Sequence, residues 1–311
     1  MTAATPDRFG FVGVTATRSS INAVFPRWAE VLELGEVAFD PVDLPVDAAP
    51  DAYREVVDRI ATDPHHRGAL VTTHKVHVLE AAHDRFDELD PHAQLLGEVS
   101  CISKRDGRLV GHAKDPLTAG ASLADFVPSG HFGRTGGHVL CLGAGGAGLA
   151  IAVHLTTMVA AEDQPSRVVL VDRGGRRVDE CLRVCDELGV GDRVEVVVND
   201  DPVGNDRLVG DLPDGSLVVN ATGMGKDRPG SPITDAARFP SQGLAWELNY
   251  RGELDFLHQA RAQASARDLH VEDGWRYFVH GWSAVVAEVF DLELDAAMLD
   301  RLSDEALAVR S

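Results

Sequence analysis

One junction constrains this chain more than any other. Residues 138–142, HVLCL, form a short apolar β-type run, GAGGAG follows over 143–148, and LAIAVHL continues at once as an apolar helical stretch. A strand that passes directly into a helix through such a loop uses its first glycine for a tight turn. The second glycine leaves the backbone bare for a ligand, and the third lets the helix lie close to the strand. The helix N-terminus then offers N–H groups and a partial positive charge, which suit a phosphate. Gly143, Gly145 and Gly148 keep the G-x-G-x-x-G spacing, with Gly146 inside the loop. A second β-type run, RVVLVD, ends on Asp172, 24 residues beyond Gly148, where a carboxylate accepts hydrogen bonds from ribose hydroxyls. The junction predicts a dinucleotide-binding βα unit. Asp172 points to NAD, because a carboxylate repels a 2′-phosphate; Arg173, Arg176 and Arg177 in DRGGRR keep NADP as the alternative, since guanidinium groups clamp phosphate.

Apolar β-type segments alternate with helical patterns along the rest of the chain, which predicts an α/β fold with largely parallel sheets. Strands are expected at 9–15, 37–43 and 69–73, and helices at 21–34, at 52–61 and from Lys75 onward. EVSCISKRDGRLVGHAKD (98–115) reads as a hairpin turning at Asp106-Gly107. The Gly- and Pro-containing stretch FVPSGHFGRTGG (126–137) marks a boundary. The expected organisation is an α/β substrate-binding catalytic domain over 1–120, a Rossmann-like cofactor domain over 121–273, and helices over 274–311 that return to the first domain.

The balance of 29 Lys+Arg against 49 Asp+Glu, a formal charge of −20, repels nucleic acid and anionic membranes. No basic segment leads into an apolar one at the start, and no run of about 18 apolar residues occurs. A cytoplasmic protein with a small-molecule substrate is expected, as a monomer or homodimer. Cys101, Cys141, Cys181 and Cys185 form no C-x-x-C pair and read as buried thiols. His112 and His280 lack the spacing of a metal site.

GALVTTHK (68–75) ends an apolar strand on Thr72, Thr73, His74 and Lys75, with a helical pattern starting immediately. This places an ammonium at the carboxyl edge of a sheet, where open α/β sheets bind ligands. Together with GRLVGHAKDPLTAG, GAGGAG, VNATGMG and WELNYRGELDFLHQA, the stretch VTTHK makes the chain resemble the shikimate/quinate dehydrogenase family over nearly its whole length. The resemblance implies an NAD(P)-dependent dehydrogenase acting on a CH–OH group of a small cyclic hydroxy or keto substrate. The family's catalytic lysine lies in VTxPxK and its aspartate closes GxNTD; Lys75 and Asp115 match them, although Lys75 stands one residue closer to Thr72 and the proline is missing. Thr222, Gly223 and Met224 match the loop near the nicotinamide, and Tyr250 matches a tyrosine near the substrate. The chemistry itself needs a proton carrier, because hydride addition to a carbonyl leaves an alkoxide. Neighbouring cations bring a lysine toward that task, and His74 and Lys114 are the candidates.

The substrate contacts implied by the resemblance are altered. In the family's SxSP segment Ser19 matches the first serine, Ser20 follows, Ile21 takes the second serine's place and Asn22 the proline's. Ser100 and Ala113 replace two asparagines, and His280 replaces a glutamine. A pocket built on hydrogen bonds rejects ligands that leave its groups unpaired, so a substrate other than shikimate is expected. The alternatives are a catalytically inactive ligand sensor on the same fold, or a methylene-folate-type dehydrogenase.

Overall fold

Strands β1 (Asp7–Gly13), β2 (Val37–Asp43), β3 (His66–Val71), β4 (Glu88–Leu89), β5 (Cys101–Arg105) and β6 (Arg108–His112) form one sheet in the order β2-β1-β3-β5-β6-β4. They belong to a computed structural model that describes residues 5–226 and 228–310. The chain divides into two compact units. One runs up to Lys114 and resumes at Val279, and the other spans Asp115–Phe278.

In the first unit β1 lies between β2 and β3, parallel to both. A strand flanked and covered in this way is apolar at nearly every position, and Phe9, Phe11 and Val12 are buried accordingly. Phe9 meets Phe25 of the helix Ile21–Val31, and Phe11 packs edge-on against Trp282, ring centroids 4.8 Å apart. The C-terminal helix Ala296–Leu307 is tied to the same core, because Trp28 Nε1 donates to the Leu302 carbonyl at 2.7 Å. β5 and β6 form the expected hairpin. Asp106 (φ 51°) and Gly107 (φ 78°) are both left-handed, as a two-residue turn that follows strand twist requires.

Strand polarity decides what meets at one edge. β1 and β3 are parallel, and β5 runs antiparallel to β3, so the start of β5 lies beside the ends of β1 and β3. β6 returns to that edge. Ser19 and Ser20 (after β1), Thr72 and Lys75 (after β3), Ser100 (before β5) and Lys114 (after β6) therefore share one edge of this sheet.

The second unit carries β7 (Val139–Leu142), β8 (Val168–Asp172), β9 (Val194–Val198), β10 (Leu217–Asn220), β11 (Leu244–Glu247) and β12 (His270–Glu272), all parallel, in the order β12-β11-β10-β7-β8-β9. β7 and β10 are buried at every position. Strand order reverses between them, and ligands bind open α/β sheets at such a switch point. The helix Asp115–Phe126 packs on Gly146–Thr157, where Gly120 receives the His154 imidazole: a Cβ at Gly120 would lie 2.0 Å from that ring. The chain thus passes between units at Lys114–Asp115, ahead of the residue-120 boundary that composition suggested. All four cysteines are buried free thiols. Among the described residues no helix is long and apolar enough to cross a membrane.

Candidate active site

Lys75 opens the helix Lys75–Ala82. The tight turn before it has Thr73 at φ 50° and the His74 N–H hydrogen-bonded to the Thr72 carbonyl. His74 is fully buried and clamped on both ring nitrogens, Nε2 to the Leu44 carbonyl at 3.0 Å and Nδ1 to the Tyr53 hydroxyl at 3.1 Å. The carbonyl can only accept, so Nε2 carries the proton and Nδ1 accepts from Tyr53. Burial holds His74 below the usual histidine range. The expectation that His74 supplies a cation to Lys75 is therefore corrected: it is a neutral clasp that shapes the shortened VTTHK turn.

The second expected cation is also neutralised. Lys114 Nζ lies 2.6 Å from Glu288 Oε2. Burial opposes ionisation of Glu288, but its hydrogen bond from Lys114, with the charges of His112, Lys114 and Arg105, outweighs that cost and holds its carboxyl below the usual range. The group facing Lys75 is instead a carboxylate, with Glu98 Oε1 3.9 Å from Lys75 Nζ and Glu98 almost wholly buried. Sequence reading passed over Glu98, since one acidic residue before a strand carries no local signal; its place follows from the Val99 N–H bonding the Lys75 carbonyl at 3.2 Å.

Ser19 and Ser20 are half-buried in the turn after β1, and neither hydroxyl is hydrogen-bonded to another described residue. Ile21 is 0% exposed and lies in the core. As the first helical residue it turns its side chain inward, and it offers no hydroxyl at the second serine's place. Asn22 fills the proline's role by other means, donating from Nδ2 to the Ala16 and Ser19 carbonyls, both at 2.8 Å. Thr72 is half-buried behind β3, and Ser100 Oγ accepts the Lys114 N–H at 2.8 Å. His280 is buried in the helix Trp275–Phe290, on the stretch that belongs to the first unit. Asp115 is the first residue of the second unit and opens the helix Asp115–Phe126. Tyr250 also belongs to the second unit, its ring 4.6 Å from that of Phe278.

The glycine loop has the form its sequence predicts. Gly143 has φ 108° and abuts β10's continuation, where a Cβ would lie 2.7 Å from the Ala221 backbone; one at Gly148 would lie 2.1 Å from the Gly143 carbonyl oxygen. A Cβ at Gly145 would meet nothing within 4 Å, which leaves the bare face a pyrophosphate needs. The helix Gly146–Thr157 starts without a side-chain cap, so no side chain of the N-cap residue takes up its first N–H groups. Asp172 folds toward this loop, accepting from the Ala144 N–H at 3.1 Å and the Arg173 N–H at 2.8 Å. Arg176 and Arg177 pair with Glu180 at 2.8 and 2.9 Å, whereas the Arg173 side chain is exposed. Thr222, Gly223 and Met224 follow β10 across the switch point; Thr222 Oγ1 donates to Asn220 Oδ1 at 2.7 Å and accepts the Met224 N–H at 3.1 Å. These residues fit a dinucleotide.

No family model matches the chain. Among curated proteins, shikimate dehydrogenase (NADP(+)) of Lactococcus lactis is 30% identical over 181 residues, which are 58% of this chain and 60% of that enzyme, less than two-thirds of its length. Shikimate dehydrogenase (NADP(+)) of Streptomyces avermitilis is 32% identical over 228 residues, 69% of this chain and 72% of that enzyme. Among solved structures, quinate dehydrogenase from Corynebacterium glutamicum in complex with NAD superposes with a TM-score of 0.75 at 23% identity, covering 97% of this chain and 99% of that one. Shikimate 5-dehydrogenase from Thermus thermophilus, in complex with NADP(H) and shikimate, gives 0.68 at 26% identity, covering 96% and 99%. The sequence likeness over more than two-thirds of the Streptomyces enzyme, together with the shared fold, shows that the chain belongs to the shikimate dehydrogenase family.

Proposed function

We propose that this protein is a nicotinamide-dependent oxidoreductase that interconverts a secondary alcohol and a ketone on a small cyclic hydroxy substrate other than shikimate. The observation that carries the reading is the sheet edge of the first unit, where Lys75 shares its place with the hydroxyls of Ser19, Ser20, Thr72 and Ser100. The dinucleotide supplies the hydride acceptor or donor. The chain's own residues do the rest. N–H groups of Gly146, Ala147 and Gly148 hold the pyrophosphate, and Asp172 accepts from the adenosine ribose. Lys75 Nζ gives a proton to the substrate oxygen during reduction and takes one during oxidation. Asp115 accepts from a substrate hydroxyl and so orients the ring. Tyr250 and His280 are the further substrate-contact candidates of this reading.

Asp172 alone favours NAD, as the sequence suggested. Both of its oxygens are already engaged by backbone amides, however, and the neighbouring Arg173 guanidinium is exposed. The curated relatives are named as NADP(+) enzymes. The reading therefore moves to NADP as the better cofactor, with NAD accepted. The substrate reading rests on Ser100, Ala113 and His280, which stand where the family carries amides, and on a carboxylate, Glu98, beside Lys75. The test is a panel of cyclic polyols, hydroxy acids and amino-substituted rings assayed for reduced nicotinamide with each cofactor. Turnover of a ring other than shikimate is expected. Efficient use of shikimate overturns the substrate reading, and tight cofactor binding without turnover of any compound favours the ligand sensor.

A further inference from the structure

We propose that Glu247 is the positioning residue of the loop Thr222–Gly225: by orienting the side-chain amides of Asn220 and Asn249, it holds that loop in the shape that takes the dinucleotide. The inference rests on the cofactor reading above. Glu247 ends β11 and is 0% exposed. Its Oε1 accepts from the Asn249 N–H at 2.8 Å and from Asn249 Nδ2 at 2.6 Å, while Oε2 accepts from Asn220 Nδ2 at 2.7 Å. The same two amide groups converge on the Met224 carbonyl, Asn249 at 3.1 Å and Asn220 at 3.3 Å. Asn220 Oδ1, turned away from the carboxylate, accepts both the Thr222 N–H at 3.1 Å and the Thr222 hydroxyl at 2.7 Å. That hydroxyl then accepts the Met224 N–H. The side-chain contacts that hold Thr222 and Met224 therefore lead to one carboxylate, while Gly225 is bonded through its backbone to Arg228 and Leu254.

The choice of a carboxylate has a physical reason. An ionised carboxylate only accepts hydrogen bonds, so it forces both asparagines to present their NH₂ groups and leaves the Asn220 carbonyl for Thr222. A glutamine of the same size would aim an NH₂ group at a ring of donors, and a leucine would leave both buried amides with the Met224 carbonyl alone to donate to. Burial works against the charge and pushes Glu247 up to about 7; Asp273, beyond β12, is the charged group that adds to this effect, and the three donated hydrogen bonds oppose it. A proton on the carboxyl puts a fourth donor among three. Above neutrality the anion holds the loop, and as pH falls through the neutral range the loop loses its anchor. Cofactor affinity should fall with it, and bound cofactor should in turn favour the ionised form.

The test uses the full chain, wild type and Glu247→Gln, with two readouts. Hydrogen–deuterium exchange of residues 221–225 is followed without cofactor, and NADP affinity is measured by titration from about pH 6 to about pH 8.5. Glu247→Gln should speed exchange in that segment and weaken NADP about tenfold at high pH, and it should flatten a pH dependence present in the wild type. Wild-type exchange and wild-type affinity at every pH in the variant would overturn the proposal. Should the variant fail to fold, a pH-independent affinity in the wild type would overturn it. A wild type that binds no dinucleotide at any pH sinks the cofactor reading instead, and exchange of the loop in the cofactor-free variant still decides whether Glu247 anchors it.

Discussion

Glu98 places its carboxylate 3.9 Å from the Lys75 ammonium, and both side chains are largely withdrawn from water. Removing one member of a withdrawn ion pair leaves the other charge poorly compensated. At this separation, and with the lysine partly wet, Glu98→Gln should cost about 1–2 kcal/mol. Lys75→Met should recover part of that loss when combined with it. Urea unfolding of the single and double variants measures the coupling, and strictly additive effects would show that the two charges do not act on each other.

His66 lies at the start of β3 with 2% exposure, and neither ring nitrogen has a hydrogen-bond partner among the described residues. Burial pushes it down to about 4 from the ordinary 6.5; the charge of Asp40 acts in the opposite direction. A histidine lowered in the folded state contributes stability that is complete above its unfolded value and disappears as pH falls from there through the folded value. The protein should therefore lose about 3 kcal/mol between about pH 6.5 and pH 4 through this residue. His66→Leu should remove much of the dependence in urea midpoints taken across that window. An unchanged slope in the variant would assign the acid sensitivity to other groups.

Gly120 is a notch, since a Cβ there would lie 2.0 Å from the His154 ring. Gly120→Ala should cost about 1–3 kcal/mol by overpacking, against the small gain that alanine brings to an ordinary helix position. His154→Ala in the same chain should relieve the clash. Thermal unfolding of the wild type and the two variants checks this, and a stabilised Gly120→Ala would mean that His154 moves aside freely.

Arg173 is the exposed guanidinium beside Asp172, while Arg176 and Arg177 are drawn to Glu180. Arg173→Ala should weaken NADP about tenfold and leave NAD nearly unchanged, because only NADP carries the phosphate that the side chain clamps. Titration of both cofactors decides. Equal losses for the two would place Arg173 outside the 2′-position.

What local sequence could show depended on the range of the physics involved. The loop at Gly143, Gly145 and Gly148 and the turn at Asp106-Gly107 were legible because backbone sterics within a few residues dictate them. Lys75 was legible as the end of an apolar strand. That Ile21 faces the core was not legible from the motif, because the phase of a helix that begins at that very residue decides it and a motif comparison carries no phase. The neutrality of His74 depends on Leu44 and Tyr53, 30 and 21 residues away. Glu98 and Glu247 were missed for the same reason, since Lys75 lies 23 residues from the first and Asn220 27 from the second, and nothing beside them in sequence announces a buried carboxylate.

The central claim is that Lys75 moves the proton of a nicotinamide-dependent reaction. Its most direct test is single-turnover and steady-state kinetics of wild type and Lys75→Met on the best substrate of the panel, with cofactor affinity measured alongside. Methionine keeps most of the side-chain length but has no proton to give. The account predicts a kcat lower by on the order of 10²- to 10⁴-fold with cofactor affinity little changed; a Lys75→Met protein that turns over at the wild-type rate would contradict it.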